Sequence, residues 1–227
     1  MTINIGLFIF ENMQLLDMVG PYEAFKSIPD IDVQLIGETM QPIMTTNQIP
    51  ISPTCQITTA DQCDVLCIPG GNGVNELINN RLVLDFINLQ AQKAKYVTSV
   101  CTGALVLGAA GLLKGRKATT HWTALDFLPM FGATPCKDRF VIDGNIITAG
   151  GITAGLDFGL FLIAELLGKQ KAEIAQLELQ YDPHPPFDSG TPDKAPAKLV
   201  HQILSEIDFE PRKKIINLWK QNHSDNA

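Results

Sequence analysis

Between two segments of opposite character lie only two residues. Tyr96 to Val100 is short, β-branched and aromatic, and reads as a buried strand. Gly103 to Leu112 is rich in Ala and Leu and reads as a helix with small, closely packing faces. Cys101 and Thr102 must make the whole connection. A strand that turns so sharply into a helix forms a nucleophile elbow, which holds one side chain up in a strained position. That side chain is Cys101. Unpaired N–H groups at a helix start favour a thiolate, so the spacing predicts a reactive cysteine. A buried structural cysteine is the competing reading, since that is the usual state of a free thiol.

The elbow strand has company. Ile3 to Phe10 is a continuous apolar run, Val33 to Gly37 a second strand, and Val65 to Ile68 a third. Apolar strands alternating with helices imply a parallel sheet covered on both faces, a three-layer α/β sandwich of flavodoxin-like class. A single domain over 1–227 is expected, with a helical tail over about 196–221. The length of 227 residues allows one sizeable core.

In such sheets, sites form at the carboxyl ends of the strands. Three chemically suggestive segments fall there: Asp17 after the first strand, Gly70-Gly71 after the third, and Cys101 after the fourth. Asp17 also reads as a helix cap, with Gly20 the alternative cap and Pro21 in the first turn. Thr102 also reads as a residue serving local backbone donors, and Gly70-Gly71 as plain turn geometry. His121 and Trp122, in a strand-and-turn segment, are pocket candidates or a hydrogen-bonded structural pair. Residues 42 to 59 predict a hairpin or edge excursion, Leu82 to Ala94 and Thr123 to Leu128 predict helices, and Asp143-Gly144 predicts a type I′ hairpin turn.

Composition excludes several classes. The net charge is −7 with no Lys/Arg block, which argues against nucleic acid. The five cysteines are irregularly spaced; Cys63 and Cys67 flank a strand and lack zinc or redox spacing, so a reducing cytosol is expected. The four histidines show no ligand pairing, and the glycines after Pro69 do not make a Walker A. No signal peptide and no membrane span are expected.

The segments Ile68-Pro-Gly-Gly71, Val100-Cys-Thr-Gly-Ala-Leu105, Ala118-Thr-Thr-His-Trp122 and Ala149-Gly-Gly-Ile-Thr-Ala-Gly-Leu-Asp157 together resemble the ThiJ/PfpI superfamily, of the class I glutamine-amidotransferase-like fold. Leu-Leu-Asp17-Met-Val-Gly-Pro and the Pro-rich loop over 181–196 are similar to the isonitrile hydratase branch of it. That resemblance implies a cytoplasmic homodimeric enzyme converting isonitriles to N-substituted formamides through a Cys101 thioimidate. It implies Cys101 as nucleophile, Asp17 as the acid, Thr102 beside them, and Gly70 and Gly71 as backbone donors. No cofactor or metal is required by that route. Two sister groups fit less well. The peptidases place a His after the cysteine, where this chain has Thr102. The AraC-type regulators add a helix-turn-helix region, for which the short tail leaves no room. A glyoxalase-like enzyme acting on reactive carbonyls and a cysteine redox sensor remain the alternative functions.

Overall fold

The computed structural model describes residues 2–223. The chain runs β1 (Ile3–Phe8), α1 (Leu15–Lys26), β2 (Ile31–Gly37), β3 (Ile43–Met44), β4 (Pro50–Ile51), β5 (Cys55–Gln56), β6 (Val65–Ile68), α2 (Val74–Leu77), α3 (Arg81–Ala91), β7 (Tyr96–Val100) and α4 (Gly103–Ala109). It continues through β8 (Lys117–Ala118), a 3₁₀ helix (Trp122–Phe131), β9 (Thr134–Pro135), β10 (Phe140–Asp143), β11 (Ile146–Ala149), α5 (Ala154–Leu167) and α6 (Lys169–Glu178), and ends with α7 (Ala197–Glu206) and α8 (Glu210–His223).

Seven strands form one sheet in the order β10-β11-β7-β6-β1-β2-β5, parallel except at β10. This is the mostly parallel, helix-flanked flavodoxin-like architecture that the alternation predicts. Strands β6 and β11 are buried throughout, as expected where helices cover both faces. The order reverses at β1, which pairs with β2 on one side and β6 on the other. A crevice forms outside the carboxyl ends of the strands at such a switch point. The register sets Ile68 beside Ser99, so the loops leaving β6 and β7 emerge together at that crevice.

Helices α1 and α5 cover one face. Phe25 and Phe158 meet edge to face across them at 6.3 Å and 87°, a geometry worth about 0.5–1.5 kcal/mol beyond burial. Helix α4 is shorter than the sequence predicts and ends in a Schellman motif. Gly111 takes φ +80°, the Leu112 N–H bonds Leu107 O at 3.0 Å, and the Gly111 N–H bonds Gly108 O at 2.9 Å.

The expected hairpin within 42–59 is β3–β4, and β5 follows as the sheet's edge strand. The turn between β10 and β11 corrects its prediction. Asp143 pairs with Ile146, so Gly144 and Asn145 are the central residues, and only Gly144 has positive φ, at 63°. That is the type II′ pattern with glycine first, not type I′. The segment after His121 is 3₁₀ rather than α, as suits a stretch where Pro129 removes a backbone donor. Among the described residues no helix is long and apolar enough to cross a membrane.

Candidate active site

The elbow is present and strained. Cys101 has φ +55°, in the left-handed region that costs a non-glycine residue roughly 1–2 kcal/mol. Its backbone is tied on both sides. The Cys101 N–H donates to Ala149 O at 3.0 Å and Gly150 O at 2.8 Å, while the Thr120 hydroxyl donates to Cys101 O at 2.7 Å. These bonds from the end of β11 and the loop after β8 hold the unfavourable conformation in place. Thr120 lies within the Ala118-Thr-Thr-His-Trp122 segment, but its role stays hidden in the sequence because it grips a backbone atom.

Asp17 is fully buried beside this cysteine. It is not a cap. Helix α1 begins at Leu15, with Gln14 at the N-cap, because the Gln14 N–H donates to Gly70 O at 2.8 Å and fixes the entry of the chain. Asp17 therefore sits in the first turn, and Pro21 lies inside the helix. Asp17 Oδ2 accepts the Gly70 N–H at 2.9 Å. Oδ1 is buried with no aligned hydrogen-bond partner, and the Cys101 thiol is the proton-bearing neighbour. Burial pushes the Asp17 carboxyl from 3.8 up to about 7, against the lowering effect of the Gly70 bond.

The thiol itself departs from the sequence expectation. Burial, and then the nearby Asp17 charge, raise Cys101 well above an ordinary thiol, while the Thr102 N–H works the other way. A helix start favours thiolate, but α4 has only seven residues and Cys101 is only 6% exposed, so desolvation wins. With both groups raised, the thiol keeps its proton at neutral pH while the Asp17 carboxyl gains or loses one around there.

Thr102 and the two glycines complete the floor. Thr102 Oγ1 accepts the Gly71 N–H at 3.0 Å and reaches Gly71 O at 3.3 Å, rather than capping α4. The Gly70 and Gly71 N–H groups are thus engaged with Asp17 and Thr102 and do not point free into the crevice. A Cβ on Gly70 would meet Thr102 N at 2.5 Å and Asp17 Oδ2 at 2.9 Å, so only glycine lets these loops close up. Gly103 is tighter still, since a Cβ there would fall on Ile68 O.

A cleft of about 560 Å³ adjoins the elbow. His121, Trp122 and Ile152 line it, with Thr120 and Gly150, the two residues that bond the Cys101 backbone. The cleft wall is therefore one hydrogen bond from the nucleophile, although Cys101 and Asp17 lie behind it. His121 Nδ1 lies 2.7 Å from Thr123 Oγ1, and burial, aided by the Arg212 charge, lowers the pKa of the ring. Charged groups that carried no sequence signal also line the cleft, among them Lys137 and Arg139, which are ion-paired with Asp193 and Asp157. A second groove of about 550 Å³, between α3, α4 and α8, is lined by Asn79 and Trp219 and lies away from the cysteine–carboxyl pair. Among the described residues, no three metal-ligating side chains converge.

An α/β sheet with a left-handed cysteine elbow, gripped by the neighbouring strand end, defines a class of fold and site. Residues 4–165 match the DJ-1/PfpI family, and the chain belongs to that family. It is 50% identical over 202 residues to a protein named isonitrile hydratase from Pseudomonas putida, covering 89% of each chain. A solved ThiJ/PfpI family protein from Pseudomonas syringae superposes with a TM-score of 0.92 at 39% identity, over 96% of this chain and 91% of that one. Drosophila melanogaster DJ-1beta shares the fold, with a TM-score of 0.74 at 21% identity, over 81% of this chain and all of that one.

Proposed function

We propose that this protein hydrates isonitriles to N-substituted formamides, with Cys101 as nucleophile and Asp17 as the proton shuttle. The observation that carries the reading is the buried, unpaired Asp17 Oδ1 beside a strained thiol, in a chain half identical to a protein of that name.

The terminal carbon of R–N≡C accepts a soft nucleophile. The Cys101 thiol passes its proton to the Asp17 carboxylate, and the pair reacts as carboxylic acid and thiolate. Sulfur adds to the carbon, the electron pair that develops there takes the Asp17 proton, and a thioimidate, R–N=CH–S–Cys, results. Asp17 is now a carboxylate in a dry site, which makes it a strong base. It takes one proton from water as the oxygen adds to the same carbon. The tetrahedral adduct expels the Cys101 thiolate, and the remaining hydroxyl proton moves to nitrogen to give R–NH–CHO. One water is consumed, and the pair returns to its starting state. An acid poised near neutral pH suits both halves, and such proton transfer is worth about 10²–10⁴-fold in rate. Thr102 holds the Gly71 loop against the elbow, and His121 and Trp122 form the wall towards which R points.

Formamide production from p-nitrophenyl isocyanide, followed by absorbance, tests the reading. Wild type is expected to turn over, while Cys101→Ala and Asp17→Asn lose activity by at least about 10²-fold. Absence of formamide from several isonitriles, with Cys101 still open to alkylation, refutes it.

A further inference from the structure

Helix α7 lies beyond the family-matched residues, and none of its ten residues is buried. Ten residues are too few to hold a helix in water without packing. Val200 and Leu204 stand one turn apart on one face of it, and both line the cleft beside the elbow. The chain is anchored on either side of the helix. Before α7, Asp193 meets Lys137 on the cleft rim at 3.4 Å, and after it Phe209 packs on Phe127 at 6.2 Å.

The cleft changes character with depth. Thr120 and Gly150 are its buried end, and both are bonded to the Cys101 backbone. Trp122, Ile152 and Val200 are half-buried and form an apolar belt, which Leu204 continues to the exposed edge. The charges are confined to the exposed rim, and they leave no cation free there. Lys137 is paired with Asp193 and Arg139 with Asp157, while Asp126 and Asp138 have no cationic partner among the described residues. An isonitrile fits this gradient in one direction. Its N≡C group is a slim linear rod that can reach a recessed sulfur, whereas R is wide and stays in the cleft. Ligand pockets hold such a group through apolar area, with a few polar groups fixing its orientation.

We propose that Val200 and Leu204 are specificity-determining residues, a wall supplied by the tail that selects isonitriles with an uncharged, apolar, ring-sized R group. A carboxylate on R would meet Asp126 and Asp138 at the rim with no free cation to receive it. The substrate preference rests on the hydration reading, while the apolar wall itself does not.

Two readouts separate the two ideas. The first is the ratio of kcat/KM for p-nitrophenyl isocyanide to that for methyl isocyanide. It is expected to fall about 10-fold in the Val200→Ala/Leu204→Ala double variant, the low end of the range for apolar contacts because the wall is partly open. Leu204→Met keeps the apolar bulk and should keep the ratio. Leu199→Ala alters the same helix at a residue that does not line the cleft and should also keep it. The second readout is alkylation of Cys101 by iodoacetanilide relative to iodoacetamide, which needs no turnover. The same fall is expected in the double variant. In wild type alone, formanilide should slow Cys101 carbamidomethylation while formamide does not, a result that stands even if the double variant fails to fold. If the alkylation ratio is unchanged in the double variant, or falls as far in Leu199→Ala, or if formanilide and formamide protect equally, the wall is overturned. A preference of wild type for isocyanoacetate over its methyl ester overturns the selection against charge. If no isonitrile is hydrated while the alkylation ratio still falls, the hydration reading fails and the wall stands.

Discussion

Replacing Asp17 with Asn should make the protein more stable above neutral pH while removing its activity. The carboxyl is held at about 7 in the folded chain against 3.8 when free, a rise of about three units. Each unit is about 1.4 kcal/mol, so ionised Asp17 costs the native state up to about 4 kcal/mol. The sign follows from proton binding. Below about pH 4 the carboxyl is protonated folded and unfolded, and its contribution is flat. Between about 4 and 7 only the folded state keeps the proton, so stability falls as pH rises, and above 7 the loss is complete. The amide of the Asp17→Asn variant does not titrate and still offers an oxygen to the Gly70 N–H. The two proteins should therefore match near pH 4 and diverge as pH rises. At pH 8 the variant should melt higher, by on the order of 10 °C for a chain of this length. Thermal melts and urea titrations of both proteins from pH 4 to 8 provide the assay. A gap that does not change with pH, or a variant less stable at pH 8, would refute the claim that burial raises this carboxyl.

Other outcomes follow from the same contacts. Because Cys101 is left-handed, Cys101→Gly should be more stable than Cys101→Ala by about 1 kcal/mol, the reverse of the usual order, as a urea titration would read. Thr102→Val leaves the Gly71 N–H without its acceptor and should cost about 1–3 kcal/mol by the same titration, with a loosened Gly70 loop. Gly103→Ala drives a methyl into Ile68 O and should abolish the cooperative melt or the elbow geometry, seen as loss of selective Cys101 labelling.

Much of the site could be read in the chain because local signals and topology agree there. Cys101 stands between an apolar strand and a small-residue helix, and Gly70-Gly71 ends another strand. The strand alternation sends both to one edge of the sheet. What escaped depends on partners distant in sequence. The position of Asp17 within α1 is set by Gly70, which accepts from Gln14 and shifts the helix start. The thiol's upward pKa comes from how deeply the finished fold covers it, whereas the sequence spoke only of the helix beside it. Thr120 sits inside the Ala118-Thr-Thr-His-Trp122 motif, but its grip on a backbone oxygen exists only in the folded chain. Val200 and Leu204 lie in an ordinary amphipathic tail, and only the placement of α7 along the cleft separates them from Leu199 beside them.

The strand order has a consequence for how the protein matures. The groups at the crevice come from the turns after β1, β6 and β7 and the end of β11, so most of the chain must be made before they meet. Parallel pairing across so many crossovers is slow, because each loop must close before its contacts form. Until then Cys101 is an ordinary thiol near pKa ~8.5, open to any oxidant or alkylating agent. Closing the sheet silences that general reactivity and keeps it for whatever enters the cleft. The decay of non-selective labelling at Cys101 during refolding is thus a clock for the last assembly step, readable at a single atom.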